Sequence, residues 1–347
     1  MNLLIITQKV DKNDPILGFF HNWVLKLSEK FEEISVICLE KGECDLPKNV
    51  KVFSLGKENG RNKIKYVLNF FQFAFLSGLK YDSVLVHMNQ EYVLLGGLLW
   101  KFLGKKVFLW RNHPQGSIFT KLAILLSCRV FYTSNYSYTA RFKKGLMMPV
   151  GIDTDLFRYR DGASVAPNSI LSIGRISPIK NIDRIIDAAI KIRNGGVQFK
   201  LDIMGSPVNP EDRKYLEKLL KKSETLTEQK IINFLPAVSQ QEAALAYRDH
   251  KIFINLTPSG SMDKTILEAA ASGTIPIVSN QSFKDIFPET MIVSKNYEDL
   301  STKLEYWLKA DDNEVKAVSE KMRRYVIENH SLVFLANKLT DILKRNV

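Results

Sequence analysis

Short apolar runs alternate with helix-period patterns along almost the whole of this chain, and that alternation restricts it to βα units around parallel sheets. In the first half the pattern predicts strands at 3–7, 34–39, 51–55, 83–87, 107–110, 130–133 and 147–150. Helices are expected between them near 18–31, 62–79, 91–103, 118–127 and 136–144. Residues 151–169 (GIDTDLFRYRDGASVAPNS) lose the apolar periodicity and gather Gly, Asp, Pro and Ser, which reads as a linker. The alternation then restarts, with strands at 170–174, 199–204, 231–235, 252–256, 274–278 and 291–293. Helices are expected near 181–193, 210–222, 239–249, 264–272 and 296–309. Three helical stretches in a row close the chain, the last at 331–345 with Ser331 as its N-cap. The expected organisation is an N-terminal domain over 1–150, the linker, a C-terminal domain over 170–330, and a terminal helix over 331–347 that returns to the first domain.

A length of 347 residues is comfortable for two such domains, each burying its own core. The three cysteines, Cys38, Cys44 and Cys128, have no metal-type spacing and suit a reducing compartment. The opening MNLLIITQ has neither a basic leader nor a cleavage site, and no apolar run is long enough for a membrane span. A soluble, cytoplasmic protein is expected.

The net charge of +12 is concentrated in the first half. Residues 1–150 carry 21 Lys and Arg against 11 Asp and Glu, whereas 151–347 carry 28 against 26. A basic half selects for anionic partners. No nucleic-acid-binding motif accompanies the charge, so no nucleic acid is expected. The stretch 61–80 (RNKIKYVLNFFQFAFLSGLK) sets five aromatic side chains between Lys and Arg. It reads either as a core helix or as a surface that meets an anionic membrane, which would place the protein peripherally on the inner membrane face.

Chemistry in open parallel sheets collects beyond the carboxyl ends of the strands. Two segments with such positions stand out. In GRISPIKN, Arg175 follows one strand and Lys180 precedes the next helix, so two cations are placed to neutralise a diphosphate. About ninety residues on, SGSMDKTILEAAASGTIPIV leads a glycine–serine loop, Ser259, Gly260 and Ser261, into a helix from about Lys264. Its free amides suit an anion, and Glu268 one turn further in suits the vicinal hydroxyls of a ribose. Read separately, the first segment is equally a solvated basic loop and Glu268 a helix-stabilising acid. Together they point to a nucleotide-sugar site.

GRxxxxKN followed by LEAAASGTIPIV resembles the retaining glycosyltransferases of family 4, and PVGIDTDLF at 149–157 is similar to the segment where such chains cross between domains. The resemblance implies an α/β GT-B fold of two doubly wound Rossmann-like domains with an interdomain cleft. It implies a donor held by the C-terminal domain, an acceptor bound by the N-terminal one, no cofactor and no metal. Arg175 and Lys180 match the family's diphosphate-binding pair, and Glu268 the second glutamate of its E-x7-E motif. Lys264 and Thr265 fall where backbone amides meet the phosphates. Gly18 falls at the family's glycine-rich loop, and His113 where a histidine faces the transferred sugar. Leu235, in Phe234-Leu235-Pro236, falls at the strand tip that cradles the base.

One position departs from the pattern. Gly260 stands where the first glutamate of E-x7-E would be, so the contact to the donor sugar's hydroxyls is not the usual one, and Asp263 and Lys264 are the candidates for replacement polar contacts. The implied reaction is front-face transfer of a sugar from a nucleotide-diphosphate sugar to a saccharide or lipid-linked acceptor, in cell-surface polysaccharide or glycoconjugate synthesis. Two alternatives remain at this point: a catalytically silent nucleotide-sugar-binding or scaffold protein of the same fold, and an epimerase or hydrolase of nucleotide sugars.

Overall fold

The computed structural model describes residues 1–159, 166–260 and 262–345, and the chain divides into two compact units. Unit 1 begins with β1 (Asn2–Val10), α1 (Phe19–Ser28), β2 (Glu33–Lys41), β3 (Val50–Ser54) and α2 (Lys63–Phe71). It continues with β4 (Ser83–His87), α3 (Glu91–Phe102), β5 (Lys106–Trp110), α4 (Ile118–Leu126), β6 (Arg129–Tyr132) and β7 (Gly145–Met147). Its seven strands lie in the order β3-β2-β1-β4-β5-β6-β7, all parallel.

The two faces of this sheet follow from the two-residue period of a strand. Leu3 and Ile5 join Phe20, Trp23 and Phe108 on one face, while Leu4 and Ile6 join Phe70, Trp100 and Ala123 on the other. Both faces are dry, which is why the strands read as continuous apolar runs rather than alternating ones.

Unit 2 contains β8 (Ala166–Ile173), α5 (Ile182–Asn194), β9 (Lys200–Met204), α6 (Pro210–Lys222), α7 (Glu224–Glu228) and β10 (Ile232–Leu235). After these come α8 (Gln240–Asp249), β11 (His250–Asn255), α9 (Lys264–Ser272), β12 (Ile275–Val278), α10 (Leu300–Lys309) and α11 (Asp312–His330). Its parallel sheet has the order β10-β9-β8-β11-β12. The final helix, α12 (Leu332–Arg345), belongs to unit 1, where Leu335 and Leu339 enter the core beside Trp23.

Several expected elements differ. The helix expected at 136–144 is only a short 3-10 turn, Tyr138–Arg141, entered by a turn that bonds Ser137 N–H to Ser134 O and tied to the loop after β5 by the Thr139 hydroxyl donating to Arg111 O. The strand expected at 291–293 is a single bridge from Ile292 to Val278, since Pro288 and the turn Glu289–Met291 occupy its approach. The helix expected at 62–79 changes to a wider π turn at Gln72–Leu76. The run expected to be strand at 147–150 pairs two residues earlier, at β7. Strand β8 starts at Ala166, inside the stretch read as linker, of which 160–165 lie outside the described residues. Helix α7 is an addition: with one apolar residue in five, ETLTE is too short to show a helical period.

Candidate functional site

In unit 2 the strand order reverses between β8 and β11, which opens a crevice beyond their carboxyl ends. Gly174, Arg175, Lys180, Asn255 and Leu256 line it. The loop after β8 is stapled to its neighbours by backbone bonds: Gly174 N–H to Met204 O (3.0 Å), Ile176 N–H to Ser206 O (3.2 Å), and Gly205 N–H to Leu235 O (3.0 Å). Gly174 has φ +144°, a conformation that favours glycine. Asn181 takes the left-handed region at φ 51° to open α5, its amide donating to Leu256 O (2.9 Å) and Tyr297 Oη (3.2 Å).

Lys180 turns back from this loop toward the start of α9. Its Nζ lies 2.9 Å from Asp263 Oδ2 and 3.0 Å from Thr257 Oγ1. Asp263 is the N-cap of α9, accepting from Thr265 N–H (3.2 Å) and Thr265 Oγ1 (2.8 Å). Asn255, at the tip of β11, donates to Asp263 Oδ2 and to Thr265 Oγ1, both at 3.0 Å, and accepts from Thr257 N–H (2.9 Å). Burial works against charge on Asp263. The Lys180 ammonium and the hydrogen bonds from Asn255 and Thr265 outweigh it and hold the carboxyl well below the usual range.

Glu268 lies one turn into α9 and is only 6% exposed. Burial pushes its carboxyl up to about 7, although Lys264 Nζ lies 3.9 Å from its Oε1. Burial lowers Lys264 against the attraction of Glu268, Asp153 and Asp263. Desolvation exceeds the mutual attraction of this pair, so each partner is drawn toward its neutral form. Ala269, Ala270 and Ala271 are fully buried and let α9 pack tightly beneath the site.

The structure therefore gathers Lys180, Asp263, Lys264, Thr265 and Glu268 at the first turns of α9. The Thr265 amide is committed to the Asp263 cap. Arg175 points elsewhere: its side chain is 43% exposed, with Nε 3.7 Å from Asp212 Oδ2 at the first turn of α6. The two cations share a crevice and have different carboxylate partners. Gly260 is buried in the loop before α9, and Ser261 lies outside the described residues. Leu235 is half-buried at the end of β10, with its carbonyl bonded to Gly205. Sequence reasoning missed Asn255 and Thr257. Their signal was two polar residues directly after the apolar run Ile252–Ile254, one ending β11 and one two residues beyond it.

Gly18 and His113 stand on loops after β1 and β5, on the carboxyl edge of the unit 1 sheet. Gly18 N–H donates to Asp14 O (3.0 Å), and a Cβ at Gly18 would fall 2.5 Å from that same oxygen. The tight turn is reason enough for this glycine. His113 is exposed, its Nδ1 accepting from Gln115 N–H (3.1 Å), and its carbonyl accepts from Tyr138 N–H (2.8 Å). Next to it, Arg111 Nη2 donates to Gln115 O (2.9 Å), while the buried Nη1 has no hydrogen-bond partner. Among the described residues no cluster of three or more His, Cys, Asp or Glu is placed to hold a metal ion. No described helix is long and apolar enough to cross a membrane.

Two all-parallel α/β units, each with a strand-order reversal, define the GT-B class. The chain superposes with a TM-score of 0.76 on Anabaena Alr3699/HepE in complex with UDP and glucose, at 15% identity, covering 99% of this chain and 100% of that one. It superposes with a TM-score of 0.77 on sucrose-phosphate synthase from Thermosynechococcus elongatus, at 13% identity and 99% of both chains. Residues 154–330 match the sequence model of the glycosyl transferases group 1, and the chain belongs to that family. It is also 28% identical over 177 residues to an alpha-monoglucosyldiacylglycerol synthase of Streptococcus pneumoniae (strain ATCC BAA-255 / R6). That match takes in 50% of this chain and 38% of the relative, well under two thirds of the latter's length.

Proposed function

We propose that this chain is a retaining, metal-independent glycosyltransferase of family 4, with unit 2 holding a nucleotide-diphosphate sugar and unit 1 its acceptor. The observation that carries the reading is the cluster at the first turns of α9, where Lys180 and the buried Glu268 stand beside one helix N-terminus. In it, Glu268 accepts from the ribose hydroxyls, and Lys180 and Arg175 neutralise the diphosphate. Family membership and the UDP bound by the similar Anabaena structure favour a UDP-sugar. The synthase relative and the basic character of 1–150 favour a glycolipid or lipid-linked acceptor at an anionic membrane surface, with the protein peripheral on its cytoplasmic side.

In the proposed reaction the bond from the anomeric carbon to the diphosphate oxygen breaks as the acceptor hydroxyl approaches the same face. The acceptor proton passes to the departing diphosphate, whose growing charge Lys180 and Arg175 offset. His113 faces the transferred sugar, Leu235 supports the base through the backbone, and the Lys264 and Asp263 side chains stand in for the carboxylate missing at Gly260. Gly18 holds the loop nearest the donor phosphates.

The test is release of nucleotide from a panel of UDP-, GDP- and ADP-sugars, with and without diacylglycerol-based acceptors and with and without EDTA. Release that needs acceptor, survives EDTA and gives product of unchanged anomeric configuration supports the reading. A second reading, a silent nucleotide-sugar-binding protein, draws on Lys180 being engaged by Asp263 and on Gly260. Tight nucleotide-sugar binding with no turnover on any acceptor would favour it.

A further inference from the structure

Helices α2, α3 and α4 cover one face of the unit 1 sheet, meeting it through Phe70, Trp100 and Ala123. Their outer sides are also apolar. Leu68, Leu76, Leu98, Phe102, Ile118 and Leu125 are all between 64% and 90% exposed, Phe102 the most. On the opposite face of the same sheet, α1 and α12 expose no large apolar side chain beyond the 46% of Val333. An ordinary solvated layer puts mainly charge on its outer side; so many large apolar side chains left exposed on the helices of one layer mark a surface built to be covered.

The charge around it says by what. From Tyr92 to Ile152 the sequence has nine Lys and Arg and no Asp or Glu. Among the described residues, Lys101 and Lys106 beside the end of α3, and Lys121 on α4, form no ion pair with a carboxylate. A second copy meeting this face with its own would bring the same cations together and be repelled. An anionic bilayer matches both features, taking the leucines and phenylalanine into the headgroup boundary and the lysines onto its phosphates.

We propose that the outer side of α2, α3 and α4 is the surface on which unit 1 docks to an anionic lipid bilayer. It is wider than the 61–80 segment and is centred on α3 and α4. In parallel βα units each helix runs back against its strands, so Leu76, Phe102 and Leu125, at or just past the helix ends, lie toward the edge where the strands begin. The carboxyl edge bearing Gly18 and His113 is thus left uncovered.

The inference rests on the reading that unit 1 meets a membrane, and vesicle flotation separates the two. Wild-type protein should float with phosphatidylcholine vesicles containing phosphatidylglycerol and far less with phosphatidylcholine alone, the difference fading with added salt. The double variant Leu98→Glu/Phe102→Glu should lose about tenfold or more in partitioning, with unchanged circular dichroism and unfolding midpoint, since both side chains are exposed. Lys101→Gln/Lys106→Gln/Lys121→Gln should weaken binding to the anionic vesicles alone, by roughly fivefold per lysine. Wild-type protein that ignores both vesicles overturns the membrane reading and the surface together. Anionic binding unchanged in both variants overturns the surface only. A dimer in sedimentation that Leu98→Glu/Phe102→Glu dissolves, without vesicle binding, assigns the face to a second copy instead.

Discussion

Lys180 and Asp263 face each other across the carboxyl edge of the unit 2 sheet, Nζ to Oδ2 at 2.9 Å, and Asp263 also caps the helix that carries Glu268. One ion pair thus ties the loop after β8 to the start of α9. Removing Lys180 leaves a buried carboxylate without its cation, so Lys180→Ala should cost about 3 kcal/mol of stability as well as nucleotide affinity. Lys180→Ala/Asp263→Asn should recover part of the stability, with a coupling of about 1–3 kcal/mol in urea unfolding. Additive losses would show that the pair is not coupled. Because the Asp263 carboxyl is held low, its contribution is complete at neutral pH and is lost as pH falls below about 4, the unfolded value.

Glu268 behaves in the opposite sense. Its carboxyl is raised to about 7 against about 4.3 in an unfolded chain, so the folded protein holds the proton more tightly. The group opposes folding increasingly as pH rises between those values, and by a constant amount above. Glu268→Gln should therefore be more stable than wild type at about pH 8, with the difference gone near pH 4. Nucleotide binding should run the other way: wild-type affinity for UDP rises as pH passes through about 7 more steeply than that of Glu268→Gln, which is lower and keeps only the dependence that the terminal phosphate of UDP brings. Calorimetric titration of both proteins across that window checks it. A wild-type affinity that rises with pH no more steeply than the variant's removes Glu268 from the ribose.

Much of this was legible because parallel strands buried on both faces leave continuous apolar runs, and β4 and α6 sit where the periodicity put them. The place of Glu268, one turn into α9, was legible because its helix start follows a glycine–serine loop. What stayed hidden was pairing. Nothing in GRISPIKN says that Lys180 turns to Asp263 while Arg175 turns to Asp212, because each choice depends on a helix far along the chain. The same holds for Asn255, whose role depends on α9 delivering Asp263 and Thr265 to the tip of β11. The terminal strand at 291–293 failed for a local reason: beyond β12 there is one bridge, and Pro288 sets the approach to it.

Arg175 should separate chemistry from stability more cleanly than Lys180. Its contact with Asp212 is long, 3.7 Å, and its side chain is 43% exposed, so the pair adds at most about 1 kcal/mol to folding. If the guanidinium meets the diphosphate, Arg175→Ala should lower kcat/KM by about 10²–10³ with an unfolding midpoint close to wild type. Arg175→Lys should recover only part of the rate, because an ammonium does not reproduce the two-pronged contact. A variant with wild-type kinetics would leave Arg175 as a solvated loop residue.

Gly205 tests whether the rim of unit 2 acts as one body. A Cβ there would lie 1.9 Å from the carbonyl oxygen of Gly174. The obstacle is backbone, so no rotamer relieves it and the loops after β8 and β9 must part. They cannot part independently, since Gly174 N–H is bonded to Met204 O and Gly205 N–H to Leu235 O. The displacement spreads across three strand ends and moves Arg175 relative to Asp212. Gly205→Ala should therefore lose about 1–3 kcal/mol of stability. UDP affinity should fall as well, although residue 205 is not assigned any contact with the ligand. Thermal unfolding and calorimetric titration on the same preparation read both quantities. Lost stability with wild-type affinity would mean that the nucleotide does not depend on the loop after β8, and would count against Arg175 as well.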